Sequence, residues 1–168
     1  TKINNRSMDI SVVLDLMIHD IDLIVQMIDS SIKEIIADGI SVLSNNVDLA
    51  NVKIIFKNGA VANLTASRIS GKDMRKIRVF ENKKYTSIDL LKKEVKEYSA
   101  HAIDKEKMSF SHQNITVNKV DALAEELTHF YNCIINNNFE TKNIENAIIA
   151  LKIAQEINDI IQTKKAVK

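Results

Sequence analysis

A chain of 168 residues, 45% hydrophobic and 27% charged, has the composition of a single globular domain with a core of its own. Its 23 basic and 22 acidic residues leave a net charge of +1, which gives no electrostatic basis for nucleic acid or an anionic membrane as a partner. The single cysteine, Cys133, excludes an internal disulfide and suits a reducing compartment such as the cytoplasm, and no apolar run reaches the roughly 18 residues of a membrane span.

The opening TKINNRSMD is polar and holds no signal-peptide core; without an initiator Met, the chain is expected to be processed or a piece of something longer. Residues 1–12 read as an extended lead-in, and a helix is predicted over roughly 13–29. Leu14, Met17, Ile18, Ile21, Ile24, Val25 and Ile28 fall on one stripe at about 100° per residue and can face a core. Beside them runs a polar stripe of Asp15, His19, Asp22 and Gln26. Asp15 and His19 are i and i+4, so their side chains are expected to meet, with Asp22 joining them. A carboxylate beside an imidazole fixes its tautomer and favours its protonated form, which prepares it for proton transfer. The plainer reading is a half-buried, satisfied His with two solvated acids.

From Ser31 the period changes to that of strands. Ile32–Val42 and Val47–Lys57 are predicted strands, and Asn58-Gly59 then signals a hairpin whose two turn positions both need positive φ. The return strand is Ala60–Ser70, followed by a turn at Gly71-Lys-Asp and strands at Met74–Glu81 and Tyr85–Leu91. Lys92–Ser99 fits strand or short helix and is read as strand, and Lys107–Val117 is the last strand. A helix is predicted over Lys119–Asn136, with Asn118 as its cap, and another over Thr141–Gln162, with the polar tail TKKAVK expected to fray. Helix, about six antiparallel strands and two helices define an α+β fold. The helices cover one face of an open antiparallel sheet, and the other face is expected to pair with a second copy, giving a dimer or tetramer.

Other residues carry less chemistry. Arg68 can reach a substrate carboxylate or phosphate, or sit at a surface. Arg75, Lys76 and Arg78 read as a solvated strand edge. His101, His112 and His129 share no ligand spacing, and Cys133 is expected to be buried and inert. No metal is expected at Asp15, His19 and Asp22, because further converging ligands are missing. The three glycines, Gly39, Gly59 and Gly71, are isolated, so neither a dinucleotide fingerprint nor a Walker loop is present.

VVLDLMIHDIDL, the hairpin VDLANVKIIFKNGAVANLTASRIS, then MRKIRVFENKKYTSIDLL and ALAEELTHFYNCI together resemble the second domain of the Gfo/Idh/MocA oxidoreductases, over about Asp9 to Ile161. Within that family the branch of UDP-N-acetylglucosamine 3-dehydrogenase-like enzymes is the most similar. The resemblance implies the substrate-binding and oligomerising half of an NAD- or NADP-dependent sugar dehydrogenase, whose Rossmann half binds the nucleotide. It places the family's Asp-x-x-x-His motif on Asp15 and His19, with His19 as general base and Asp15 orienting substrate. Asp22 and Arg68 are the candidate substrate-binding residues. The family's Gly-rich fingerprint and Glu-Lys-Pro motif are not found, and the chain has no proline at all. The whole of 1–168 is therefore expected to be one domain without a Rossmann domain, inactive alone and binding no nucleotide tightly. The alternative is a non-catalytic oligomerisation or ligand-binding domain.

Overall fold

The computed structural model describes residues 8–104, 107–117, 120–138 and 141–166, and resolves the first predicted helix into two stretches. A π-helical segment, Val13–Met17, runs directly into α1, Ile18–Met27. Hydrogen bonds in a π turn span five residues instead of four, so residues stack differently from the α-helical overlay. Val12, Val13, Met17 and Ile21 are fully buried along this element.

The described chain falls into two compact units, Thr1–Lys72 with Phe139–Lys168, and Asp73–Asn138. In the first, β1 (Ile32–Ile40), β2 (Leu49–Phe56) and β3 (Val61–Ser67) form an antiparallel sheet in that order. The period of two in β2 places Ala50, Val52, Ile54 and Phe56 on the buried face and Asn51 and Lys53 in solvent. The β2–β3 hairpin closes with Phe56 N donating to Ala60 O (2.9 Å), and only Gly59 takes positive φ, at 90°. The predicted turn with two positive-φ residues is thus replaced by a longer one, in which Gly59 alone carries the left-handed step.

The final helix, α3 (Thr141–Ala166), buries Ala150, Ile153, Ala154, Ile157 and Ile161 at i, i+3, i+4, i+7 spacing against α1 and β1. It continues into the stretch expected to fray, as far as Ala166, and Lys164 Nζ donates to Ala37 O (3.0 Å) and to Asp38 Oδ1 (2.8 Å). Gly39 permits the close packing, since a Cβ there would lie 2.7 Å from Val47 Cγ1 and 3.0 Å from Ile161 Cγ2.

The second unit holds β4 (Lys76–Glu81), β5 (Lys84–Asp89), β6 (Glu94–Asp104) and β7 (Lys107–Ile115), an antiparallel sheet in chain order, followed by α2 (Ala122–Ile135). Of the ambiguous stretch 92–99, residues 94–99 are strand in β6, as read, whereas Lys92 and Lys93 belong to the turn before it, Lys93 with φ 55°. Across one sheet face the rings of Phe80, Tyr85, Tyr98 and His112 stack in a ladder, with centroids 4.8, 5.4 and 5.9 Å apart. Such cross-strand pairs hold a sheet that has little buried interior. Asp121 caps α2, its Oδ1 accepting from Leu123 N (3.0 Å) and Ala124 N (3.3 Å); Asn118, the expected cap, lies outside the described residues. Leu123, Leu127, Phe130 and Ile134 of α2 are exposed, so its apolar stripe is not a cover of the kind α1 and α3 provide.

The architecture is α+β with antiparallel strands, as the sequence indicates. Among the described residues the strands number seven, one for each stretch predicted as strand and close to the expected total of about six, and they divide into ladders of three and four.

Candidate functional site

Asp15 sits half-buried in the π segment, and His19 stands exposed in the first turn of α1. Asp22, further along α1, accepts from Gln26 Nε2 at 2.8 Å. Among the described residues no hydrogen bond or ion pair joins His19 to Asp15 or Asp22, so the expected imidazole between two carboxylates is not formed. The wider π turn removes the i, i+4 stacking on which that expectation rested, and Gln26 occupies Asp22.

What the fold does bring to Asp15 is Arg68. This residue follows β3, and its side chain is 12% exposed. Its Nη2 donates to Ile10 O at 2.8 Å and lies 3.7 Å from Asp15 Oδ2. Its Nε lies 3.9 Å from Asp48 Oδ1. Two residues 53 positions apart in the chain, Asp15 and Arg68, are thereby placed at one end of the helical element.

Asp48 is the member that sequence reading missed. It is completely buried at the entry to β2. Its Oδ2 accepts from three consecutive backbone N–H groups, Val42 (2.7 Å), Leu43 (2.7 Å) and Ser44 (3.0 Å), and its Oδ1 accepts from Ser44 Oγ (2.8 Å). Successive N–H groups converging in this way form a nest for an anion. Burial pushes the Asp48 carboxyl up, but the donors of Leu43, Val42 and Ser44 outweigh it and hold the group well below the ordinary carboxylate range. The signal that could have found it is an acid standing immediately before an alternating run whose neighbours are apolar, preceded by a loop with the acceptor-seeking Ser44.

The remaining candidates stand apart from this cluster. His101 Nε2 pairs with Ser111 Oγ (3.2 Å), and His112 belongs to the ring ladder. Cys133 is half-buried, not buried as expected, because the α2 face that carries it is open; its Sγ lies 3.6 Å from His129 Nε2. Among the described residues no group of three or more His, Cys, Asp or Glu converges as metal ligands, and no helix is long and apolar enough to cross a membrane.

Residues 3–84 match the model of the GFO/IDH/MocA C-terminal domain, and the chain belongs to that family. Of individual proteins, UDP-N-acetylglucosamine 3-dehydrogenase from Acidithiobacillus ferrooxidans is 34% identical over 130 residues, covering 77% of this chain and 42% of that enzyme. A solved structure of UDP-N-acetylglucosamine 3-dehydrogenase from the same organism matches with a TM-score of 0.86 at 28% identity, covering 95% of this chain and 51% of that one. Levoglucosan dehydrogenase, solved with NADH and levoglucosan, shares the fold, with a TM-score of 0.71 at 14% identity over 91% of this chain and 48% of that one. The chain spans about half the length of the relatives it matches.

Proposed function

We propose that this chain is the substrate-binding and proton-accepting domain of an NAD- or NADP-dependent sugar or nucleotide-sugar dehydrogenase. The observation that supports this is the Asp15–Arg68–Asp48 cluster at the start of the element that carries His19. Arg68 offers a planar donor set suited to a sugar hydroxyl or a phosphate oxygen. Asp15 and Asp22 orient hydroxyls, and the exposed imidazole of His19 takes the proton of the hydroxyl being oxidised. The residues of this chain do not fit a dinucleotide: Gly39 lies in β1, Gly59 in the hairpin and Gly71 in a loop, with no glycine-rich turn opening a helix. The cofactor therefore belongs to a Rossmann domain acting in cis or in trans, and the chain by itself transfers no hydride.

Titration of the full chain with UDP-N-acetylglucosamine, followed by NMR, tests the reading. The expected result is shifts confined to the surroundings of Asp15, His19 and Arg68, abolished in Arg68→Ala. Shifts elsewhere, or none, reject it.

A second reading, an assembly domain without catalysis, is favoured by one observation, the exposure of Phe80 (74%) in the ring ladder and of Phe110 (80%), two residues before His112 on β7. A second copy of this chain is its occupant in that reading. Sedimentation of the wild type as a dimer or tetramer, and of Phe110→Asp as a monomer, is its expected outcome; a monomeric wild type removes it.

A further inference from the structure

We infer that Asp48 is a positioning residue of the site, acting through Arg68: it holds the guanidinium at the start of the element that carries Asp15 and His19. The inference rests on the reading of that site as the sugar-binding one.

Arg68 N donates to Asp48 O (3.0 Å), which fixes the root of the arginine beside the root of the aspartate. Val12 N donates to Val47 O (2.8 Å), and Asn46 Nδ2 donates to Met8 O (2.8 Å), so the segment leading into the π helix is laced to the residues immediately before Asp48. Among the described residues the guanidinium meets Ile10 O at one end (2.8 Å) and Asp48 Oδ1 at the other (3.9 Å).

The division of work between the two carboxylate oxygens carries the assignment further. Oδ2 takes the three backbone N–H groups and closes the 42–44 loop. Three converging N–H groups favour an anion over a neutral acceptor, so the charge serves the loop as well. Oδ1 receives only the Ser44 hydroxyl and otherwise faces Arg68 Nε. A buried anion at this place attracts the nearly buried guanidinium and opposes its swinging into solvent. One charge thus does two things, closing the loop through Oδ2 and facing Arg68 through Oδ1. Arg68 in turn is the cation that Asp15 faces at 3.7 Å. The orientation of Asp15, and with it the donor set offered to a substrate, depends on a residue that touches no substrate.

The test uses the full chain with arginine Nε–Hε signals observed by NMR, in the wild type, Asp48→Asn and Ser44→Ala. In Asp48→Asn the Arg68 signal is expected to become mobile and exchange with water, and affinity for UDP-N-acetylglucosamine to fall about tenfold or more. The signals of α3 and of the β2–β3 hairpin, in the same unit as Asp48, serve as the control for folding. In Ser44→Ala, which leaves the backbone nest whole, the Arg68 signal is expected to remain ordered but to shift, because Oδ1 has lost its other donor, with binding kept within about twofold. An Arg68 signal unmoved in Ser44→Ala overturns the inference even if Asp48→Asn does not fold. Equal loss of binding in both variants also overturns it, since that is the behaviour of a loop staple. If wild type binds no nucleotide sugar while Arg68 responds as described, the functional reading fails and the positioning role stands.

Discussion

Met17, Ile21, Ile54, Ile157 and Ile161 are each sealed from solvent in the unit formed by the three-stranded sheet with α1 and α3, whereas among the described residues of Asp73–Asn138 none is buried. Both units draw on the same kinds of residue. The difference is geometric. In the first, helices lie on one face of the sheet, so every second residue of β2 is removed from water. In the second, the strands are held by backbone ladders, stacked rings and the Lys84–Glu97 ion pair (2.6 Å), while Phe80, Phe110 and the α2 stripe stand open. A sheet forms on cross-strand pairing alone, but a core needs a second layer. The candidate site sits with the sealed unit, where positions can be held to fractions of an ångström.

The largest effect should come from deleting part of that seal. Ile157→Ala is expected to destabilise the chain by about 2–5 kcal/mol, read from the midpoint of urea unfolding. A cost below about 1 kcal/mol would mean that α3 is less well packed than its burial shows. Gly39→Ala probes the same layer from the opposite direction. Its methyl would meet Val47 at 2.7 Å and Ile161 at 3.0 Å, so an overpacking cost of about 1–3 kcal/mol is expected in the same assay. Stabilisation instead would show that β1 and α3 have room between them.

How much of this was legible in the sequence follows from the same contrast. The stripe of Met17 and Ile21 and the alternation of β2 are periodic features that burial imposes on sequence, and they were readable. The π segment was not, because a stripe over five residues looks alike in α and π helices. The break between ladders was hidden as well: Gly71-Lys72-Asp73 reads as one more turn, and strand propensity does not say which sheet a strand joins. In the candidate site, Asp15, His19 and Arg68 were named from residue type and resemblance, but the pairing expected was Asp15 with His19, not Asp15 with Arg68. Asp48 was missed because its partners are mainly backbone N–H groups, which carry no side-chain pattern, so that only its place between Ser44 and the alternation of β2 marked it.

Asp48 also makes the sealed unit sensitive to acid. The folded chain holds it as the anion, well below the ordinary range, whereas the unfolded chain takes up the proton at about pH 4. Its contribution to stability is therefore fully present above about pH 4 and is lost as pH falls toward its folded value. Asp48→Asn is expected to be less stable than wild type at pH 7, by about 1–3 kcal/mol for donors left poorly matched, with the gap narrowing below pH 4. Parallel stability–pH curves for the two proteins would show that another carboxylate governs the acid limb.

The smallest effect is expected on the open face of the second unit. Phe110 is 80% exposed, so Phe110→Ser removes little that folding had withdrawn from water, and the unfolding midpoint of dilute protein should move by no more than about 0.5 kcal/mol. The informative variable is concentration. If a second copy covers the ring ladder, wild-type stability rises with protein concentration by mass action, and Phe110→Ser abolishes that rise while leaving the dilute value in place. A large loss in dilute Phe110→Ser would instead mean that this face is already packed within one chain, and the contrast between a sealed unit and an open one would not hold.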